Sequence, residues 1–150
     1  MIKFPRSYQL NSLLGMAYME TDRLEDMHQS AIELYQKFPD NLFAFCNYIT
    51  MLLAKDEIGE AELLLHDSYN IHEQFPQKEY FTIDHYLAYT QTIAKYFLRT
   101  GKLIKAAAYT FPLTFYEWRE HNKDNADALY FLVIDQIREK FLPENQMTEK

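Results

Sequence analysis

Cysteine is almost missing from this sequence, and glycine and proline are scarce. The single cysteine, Cys46, leaves no partner for a disulfide framework and excludes a cysteine-rich zinc site; a lone thiol fits a reducing compartment. Three glycines and five prolines supply too few tight turns for a many-stranded β fold. Long hydrophobic runs are missing too: the longest apolar stretch, around LYFLVI at residues 129–134, is far shorter than a bilayer-spanning helix. The N-terminal MIKFPRSYQL lacks the apolar core of a signal peptide, and no Asn-x-Ser/Thr sequon occurs, so the expectation is a soluble, cytoplasmic protein.

Basic residues are missing from one half. Residues 1–75 carry 5 Lys/Arg against 12 Asp/Glu, a balance of −7, whereas residues 76–150 carry 10 of each. An acidic half repels phosphate backbones, which weighs against nucleic acid as a partner. What the chain does have is apolar and aromatic content: 48% of the 150 residues are hydrophobic and 16% aromatic, enough to bury a core and to exclude intrinsic disorder.

Catalytic and metal-binding patterns are equally scarce. Gly15, Gly59 and Gly101 are scattered, so no glycine-rich phosphate loop exists. Neither His-Glu-x-x-His nor Gly-x-Ser-x-Gly is present. The five histidines (28, 66, 72, 85 and 121) form no i, i+4 pair. Glu57/Glu60 and Glu117/Glu120 read as solvated faces, and Cys46, between Phe45 and Asn47, has no cationic or glycine-rich setting to activate it. The expectation is therefore a protein that is not an enzyme and uses no cofactor or metal.

Internal periodicity organises the rest. The stretches METDRLEDM, AKDEIGEA and RTGKLIKA each place a polar turn before one aliphatic residue, Leu24, Ile58 or Leu103. Three positions later stand Met27, Ala61 and Ala106. The first two turns lie 34 residues apart and the last two 45. Upstream of each turn runs an apolar stripe at helical spacing: Leu14 and Tyr18; Phe45, Tyr48 and Leu52; Ile93 and Phe97. Downstream runs another: Ala31, Leu34, Tyr35 and Phe38; Leu64, Leu65, Ser68 and Tyr69; Tyr109, Leu113 and Tyr116. Each unit reads as a helical hairpin. The spacing predicts helices at about 7–20, 24–37, 41–54, 58–74, 78–99, 103–121 and 124–141. Eleven extra residues in the longer interval equal about three helical turns, so lengthened helices around Pro76 are expected. Pro112 is expected to kink the sixth helix.

These residues resemble the tetratricopeptide repeat (TPR). Leu14, Gly15, Tyr18 and Pro39 fall on the family's positions 7, 8, 11 and 32 in the first unit. Phe45, Tyr48, Leu52, Ala61 and Leu65 fall on positions 4, 7, 11, 20 and 24 in the second, and Ile93, Ala94, Phe97, Gly101 and Ala106 on 7, 8, 11, 15 and 20 in the third. Asn11, Met27 and Ile49 depart from the pattern. The resemblance implies an all-α, right-handed TPR-like superhelix of antiparallel hairpins forming one domain over residues 1–150, with units at roughly 8–41, 42–75 and 78–121 and a final helix. It accounts for Gly15, a helix-weakening residue inside LLGMAY: position 8 is small where the two helices of a hairpin cross.

The resemblance also implies a concave groove lined by the first helix of each hairpin. Carried over, its residues are Gln9, Ser12, Met16 and Met19; Phe43, Cys46, Asn47, Thr50 and Leu53; and Gln91, Thr92, Lys95 and Arg99. Lys95 and Arg99 at i, i+4 could hold a carboxylate, or stand as solvated cations. The subfamily that clamps chaperone tails needs other residues at Ser12, Met16, Ala88 and Thr92; only Asn47 matches it. The expected function is a non-enzymatic adaptor or scaffold for a protein or peptide partner. The alternative is the sensor or oligomerisation module of a peptide-responsive regulator, self-associating through Leu129, Val133 and Ile137 of the final helix.

Overall fold

The computed structural model describes the backbone of residues 13–15, 17–18, 20–115 and 120–141, with side chains described within 13–15, 17–18, 20–113 and 128–141. Among the described residues there is no strand, so the fold is all-α. The chain divides into two compact units, Met1–Glu79 and Tyr80–Lys150, the boundary falling between the second and third repeats.

In the first unit, helical residues between 13 and 20 lead into α1 (Leu24–Lys37), α2 (Leu42–Ala54), α3 (Ile58–Leu65) and the single turn α4 (Ile71–Gln74). Asn41 starts α2: its side chain accepts a 3.1 Å hydrogen bond from the Ala44 amide, meeting a helix-end donor that would otherwise go unpaired. Nearly the whole circumference of α2 is covered. Leu42, Ala44, Phe45, Cys46, Ile49, Met51, Leu52 and Leu53 are all buried, joined by Leu34 of α1, Ala61 and Leu65 of α3, and Ile71 and Phe75. Each fully buried Ile or Leu contributes about 1.5–3 kcal/mol.

In the second unit, α5 (Ile83–Arg99) and α6 (Leu103–Thr110) form a hairpin, followed by a 3-10 segment (Phe111–Phe115) and α7 (Glu120–Phe141). Thr82 and His85 cap α5 reciprocally. The His85 amide donates to Thr82 Oγ1 at 3.3 Å, and the Thr82 amide donates to His85 Nδ1 at 3.0 Å. Leu87, Ile93, Ala94, Tyr96 and Phe97 of α5 are buried with Leu103 and Ala106 of α6, Leu113, and Leu129 and Val133 of α7. The buried Thr110 hydroxyl donates to the Ala106 carbonyl at 3.0 Å, so no desolvated hydroxyl is left unpaired there.

The three polar turns found in the sequence are one structure built three times. In each, an amide donates back five residues to the carbonyl of the preceding helix: Arg23 to Tyr18, Glu57 to Leu52 and Lys102 to Phe97, every bond 2.9 Å long. The residue just before each donor is left-handed: Asp22 (φ 56), Asp56 (φ 63) and Gly101 (φ 70). At the second and third turns the left-handed residue also donates three back, Asp56 to Leu53 and Gly101 to Leu98, which completes the Schellman arrangement. The next helix begins one residue after each donor, at Leu24, Ile58 and Leu103. The first α-helical bonds then run from Met27 to Arg23, Ala61 to Glu57 and Ala106 to Lys102.

Several expected helices change. The 24–37 helix is as expected, and 41–54 begins one residue late at Leu42. The 58–74 helix breaks after Leu65, because His66 (φ 49) and Asp67 (φ 55) turn left-handed. The 78–99 helix starts at Ile83, where the Thr82–His85 cap fixes it. The eleven extra residues therefore go mostly into bends and α4, although α5, at 17 residues, is longer than α2 at 13. The 103–121 helix stops at Thr110 and tightens to a 3-10 segment instead of kinking. Pro112 has no amide to give to the Ala108 carbonyl, and in a continued α-helix its ring would crowd that carbonyl. The final helix begins at Glu120 rather than 124.

Candidate protein-binding surface

Burial around α2 leaves one open line. Phe43, Asn47, Thr50 and Ala54, spaced by four, three and four residues, are the positions that stay partly or fully exposed beside Tyr48. The phase of the helix explains this: Leu42, Phe45, Ile49 and Leu52 take one buried side, while Cys46 and Leu53 take another. Of the groove residues expected in this unit, Phe43, Asn47 and Thr50 thus share one stripe. Leu53, 3% exposed, does not; it belongs to the core, as does Cys46, because α2 is packed on both flanks.

The α5 helix shows a similar line in its own unit. Gln91 and Lys95 are half-buried and Arg99 is exposed, at i, i+4 and i+8. Thr92, expected on the same wall, is buried, and its hydroxyl donates back to the Ala88 carbonyl at 2.9 Å. Gln9, Ser12, Met16 and Met19 lie outside the described residues.

A cluster that the sequence did not single out borders the α2 stripe. The Tyr48 hydroxyl donates to Glu60 Oε1 at 2.7 Å, tying α2 to α3 across their turn. Tyr35 of α1 stacks on Tyr48 with ring centroids 4.8 Å apart and meets Phe45 edge-on at 6.1 Å. Phe45 in turn meets Phe75 edge-on at 5.4 Å. The hydrogen bond to the Glu60 carboxylate, with some burial, pushes the Tyr48 pKa up to about 12. Burial and the Asp40 carboxylate also raise that of Tyr35. Two tyrosines are thus held neutral and stacked, an arrangement suited to flat contact and hydrogen bonding rather than proton transfer near neutral pH.

The final helix differs from expectation. Val133 is 0% exposed and Leu129 is also buried, both serving the second unit's core, while Ile137 is half-buried. The outward apolar residues include Phe131 at 63%, Leu132 at 49% and, at the end of the helix, Phe141 at 57%. The face available to another chain is therefore not the Leu129–Val133 line. Among the described residues no helix is long and apolar enough to cross a membrane. No protein-family model, no curated protein and no solved structure matches this chain.

Proposed function

We propose that this chain is a non-enzymatic protein–protein interaction adaptor built of TPR-like hairpins, and that it takes a peptide or helix on the open faces of α2 and α5. Right-handed stacking of the hairpins, as the family resemblance implies, and a cytoplasmic setting belong to the same proposal. One observation carries it: the first helix of hairpins two and three keeps a partly exposed line of residues at positions where the resemblance places ligand contacts, Phe43, Asn47 and Thr50 on one and Gln91, Lys95 and Arg99 on the other. Phe43 supplies apolar contact, Asn47 and Gln91 offer backbone hydrogen bonds, and Lys95 with Arg99 supply positive charge for a partner's acid. Phe43→Ala is expected to weaken a captured partner by about 1–3 kcal/mol in a titration, and an unchanged affinity would remove Phe43 from the site.

Exposed Phe131 and Leu132 favour a second reading, in which the chain is the sensor or oligomerisation half of a regulator and pairs through α7. Light scattering separates the two. A dimer lost on Phe131→Glu/Leu132→Glu supports assembly, and a monomer at every concentration supports the adaptor.

A further inference from the structure

The three hairpin turns share a backbone but not a charge. The first, residues 20–26, holds Glu20, Asp22, Glu25 and Asp26 against Arg23; the second, residues 54–60, holds Asp56, Glu57 and Glu60 against Lys55. The third, residues 99–105, holds Arg99, Lys102 and Lys105 and no carboxylate. At the third position of the helix that follows each turn stand Asp26, Glu60 and then Lys105. Carboxylates suit that place, because the first turn of a helix presents the positive end of its dipole, and cations there work against it. The first turn of α6 nonetheless contains no acidic residue.

The two lysines also lie against one aromatic ring. Lys102 Nζ lies 5.9 Å from the Phe97 ring centroid and 5.6 Å from that of Tyr96, and Lys105 Nζ lies 5.5 Å from the Phe97 centroid. Phe97 is buried, so its ring is a fixed platform, whereas both lysines are exposed. Neither lysine makes an ion pair among the described residues, while Asp26 in the first turn is paired with Arg23 at 2.7 Å. Two like charges held around one ring repel, and an anion between them would relieve that repulsion. Ile104, 66% exposed, sits between them in the chain and adds an apolar contact.

We infer that this turn is a docking point for an acidic protein segment, an Asp/Glu-rich stretch carrying an apolar side chain, whose carboxylates pair with Lys102 and Lys105 while the apolar group covers Ile104. Charge complementarity at the turn selects an acidic partner, and the exposed Ile104 between the two lysines selects a protein segment, which brings an apolar side chain, over a phosphate backbone, which does not. The turn follows directly on Arg99 at the end of α5, but Lys102 and Lys105 are not residues of the α5 stripe, and the inference stands whether or not that stripe is occupied.

The test uses the full chain and a labelled peptide of Glu and Asp around one Leu, read by fluorescence anisotropy. A Gln/Asn counterpart and an oligothymidylate serve as the comparisons. The acidic peptide is expected to bind, less tightly as salt is raised, and the neutral one is not. Lys102→Glu/Lys105→Glu is expected to weaken the acidic peptide about tenfold or more while melting no lower than wild type, since Glu suits a first helical turn. Lys102→Gln/Lys105→Gln gives the same comparison should the reversal fail to fold. No binding by wild type, equal binding by the variants, or an oligothymidylate bound as tightly as the peptide would each overturn the inference.

Discussion

Tyr48 and Glu60 close the second hairpin through a 2.7 Å hydrogen bond from the phenol to the carboxylate, and that bond holds the phenol protonated up to a pKa of about 12. The folded state therefore binds the Tyr48 proton more tightly than the unfolded chain, where the ordinary value is 10.0. Stability from this group is complete below pH 10 and is lost as the pH rises toward 12. Tyr48→Phe is expected to cost about 0.5–1 kcal/mol at neutral pH, because the bond is largely exposed. The variant should also show a shallower loss of stability than wild type between pH 10 and 12. Urea unfolding of the two proteins at neutral pH and across that window checks both statements; parallel pH curves would show that the bond does not form in solution.

The left-handed residue of each turn gives a second expectation. Gly101 lies at φ 70, and a Cβ added there would meet nothing within 4 Å, so Gly101→Ala meets backbone strain alone. Its expected cost is about 1–2 kcal/mol. Asp56 holds the equivalent place with φ 63, and Asp56→Gly is expected to stabilise by about 0.5–1 kcal/mol. Opposite signs at two matched positions, read by thermal melts, would establish that the turns share one geometry in solution. Equal signs would contradict it.

Much of the architecture was legible because the turns carry a local code. A polar residue or glycine able to turn left-handed, one residue, then an aliphatic helix start recurs at Asp22–Leu24, Asp56–Ile58 and Gly101–Leu103, and those starts match the sequence expectation. The break after Leu65 was not legible. Leu64, Leu65, Ser68 and Tyr69 continue a helical spacing, and the residues that turn left-handed are His66 and Asp67 rather than glycine. The same limit applies to the site. Asn47 and Phe43 follow from helix phase, but the burial of Leu53 depends on α2 being packed on two flanks, which a pattern within one helix does not reveal. Tyr48–Glu60 needed both helices in place before it could be seen.

Burial also redirects the test of self-association. Val133→Glu places an unpaired charge in a fully buried site and is expected to destabilise the second unit by roughly 3 kcal/mol or more, whatever the oligomeric state. Phe131→Glu, on the exposed side of α7, is expected to change stability by about 0.5 kcal/mol or less. Denaturant unfolding of the two variants distinguishes the faces. A mild effect at Val133 would show that α7 docks differently.

Small residues inside the hairpins offer another check. Ala61 and Ala106 are both fully buried at the matched fourth position of their helices. Ala106→Leu is expected to cost about 1–3 kcal/mol through overpacking, since no space is left for the added carbons. A neutral result in a thermal melt would mean that the hairpin is looser than its burial indicates.

The central claim, that the chain acts through the exposed stripes of α2 and α5, is tested most directly by a paired capture from native lysate. Wild-type bait is set beside Asn47→Ala/Lys95→Glu/Arg99→Glu, with retained proteins identified by mass spectrometry. A protein held by wild type and lost from the variant, with both baits folded by circular dichroism, is the predicted result. Identical retained proteins on the two folded baits would contradict the claim.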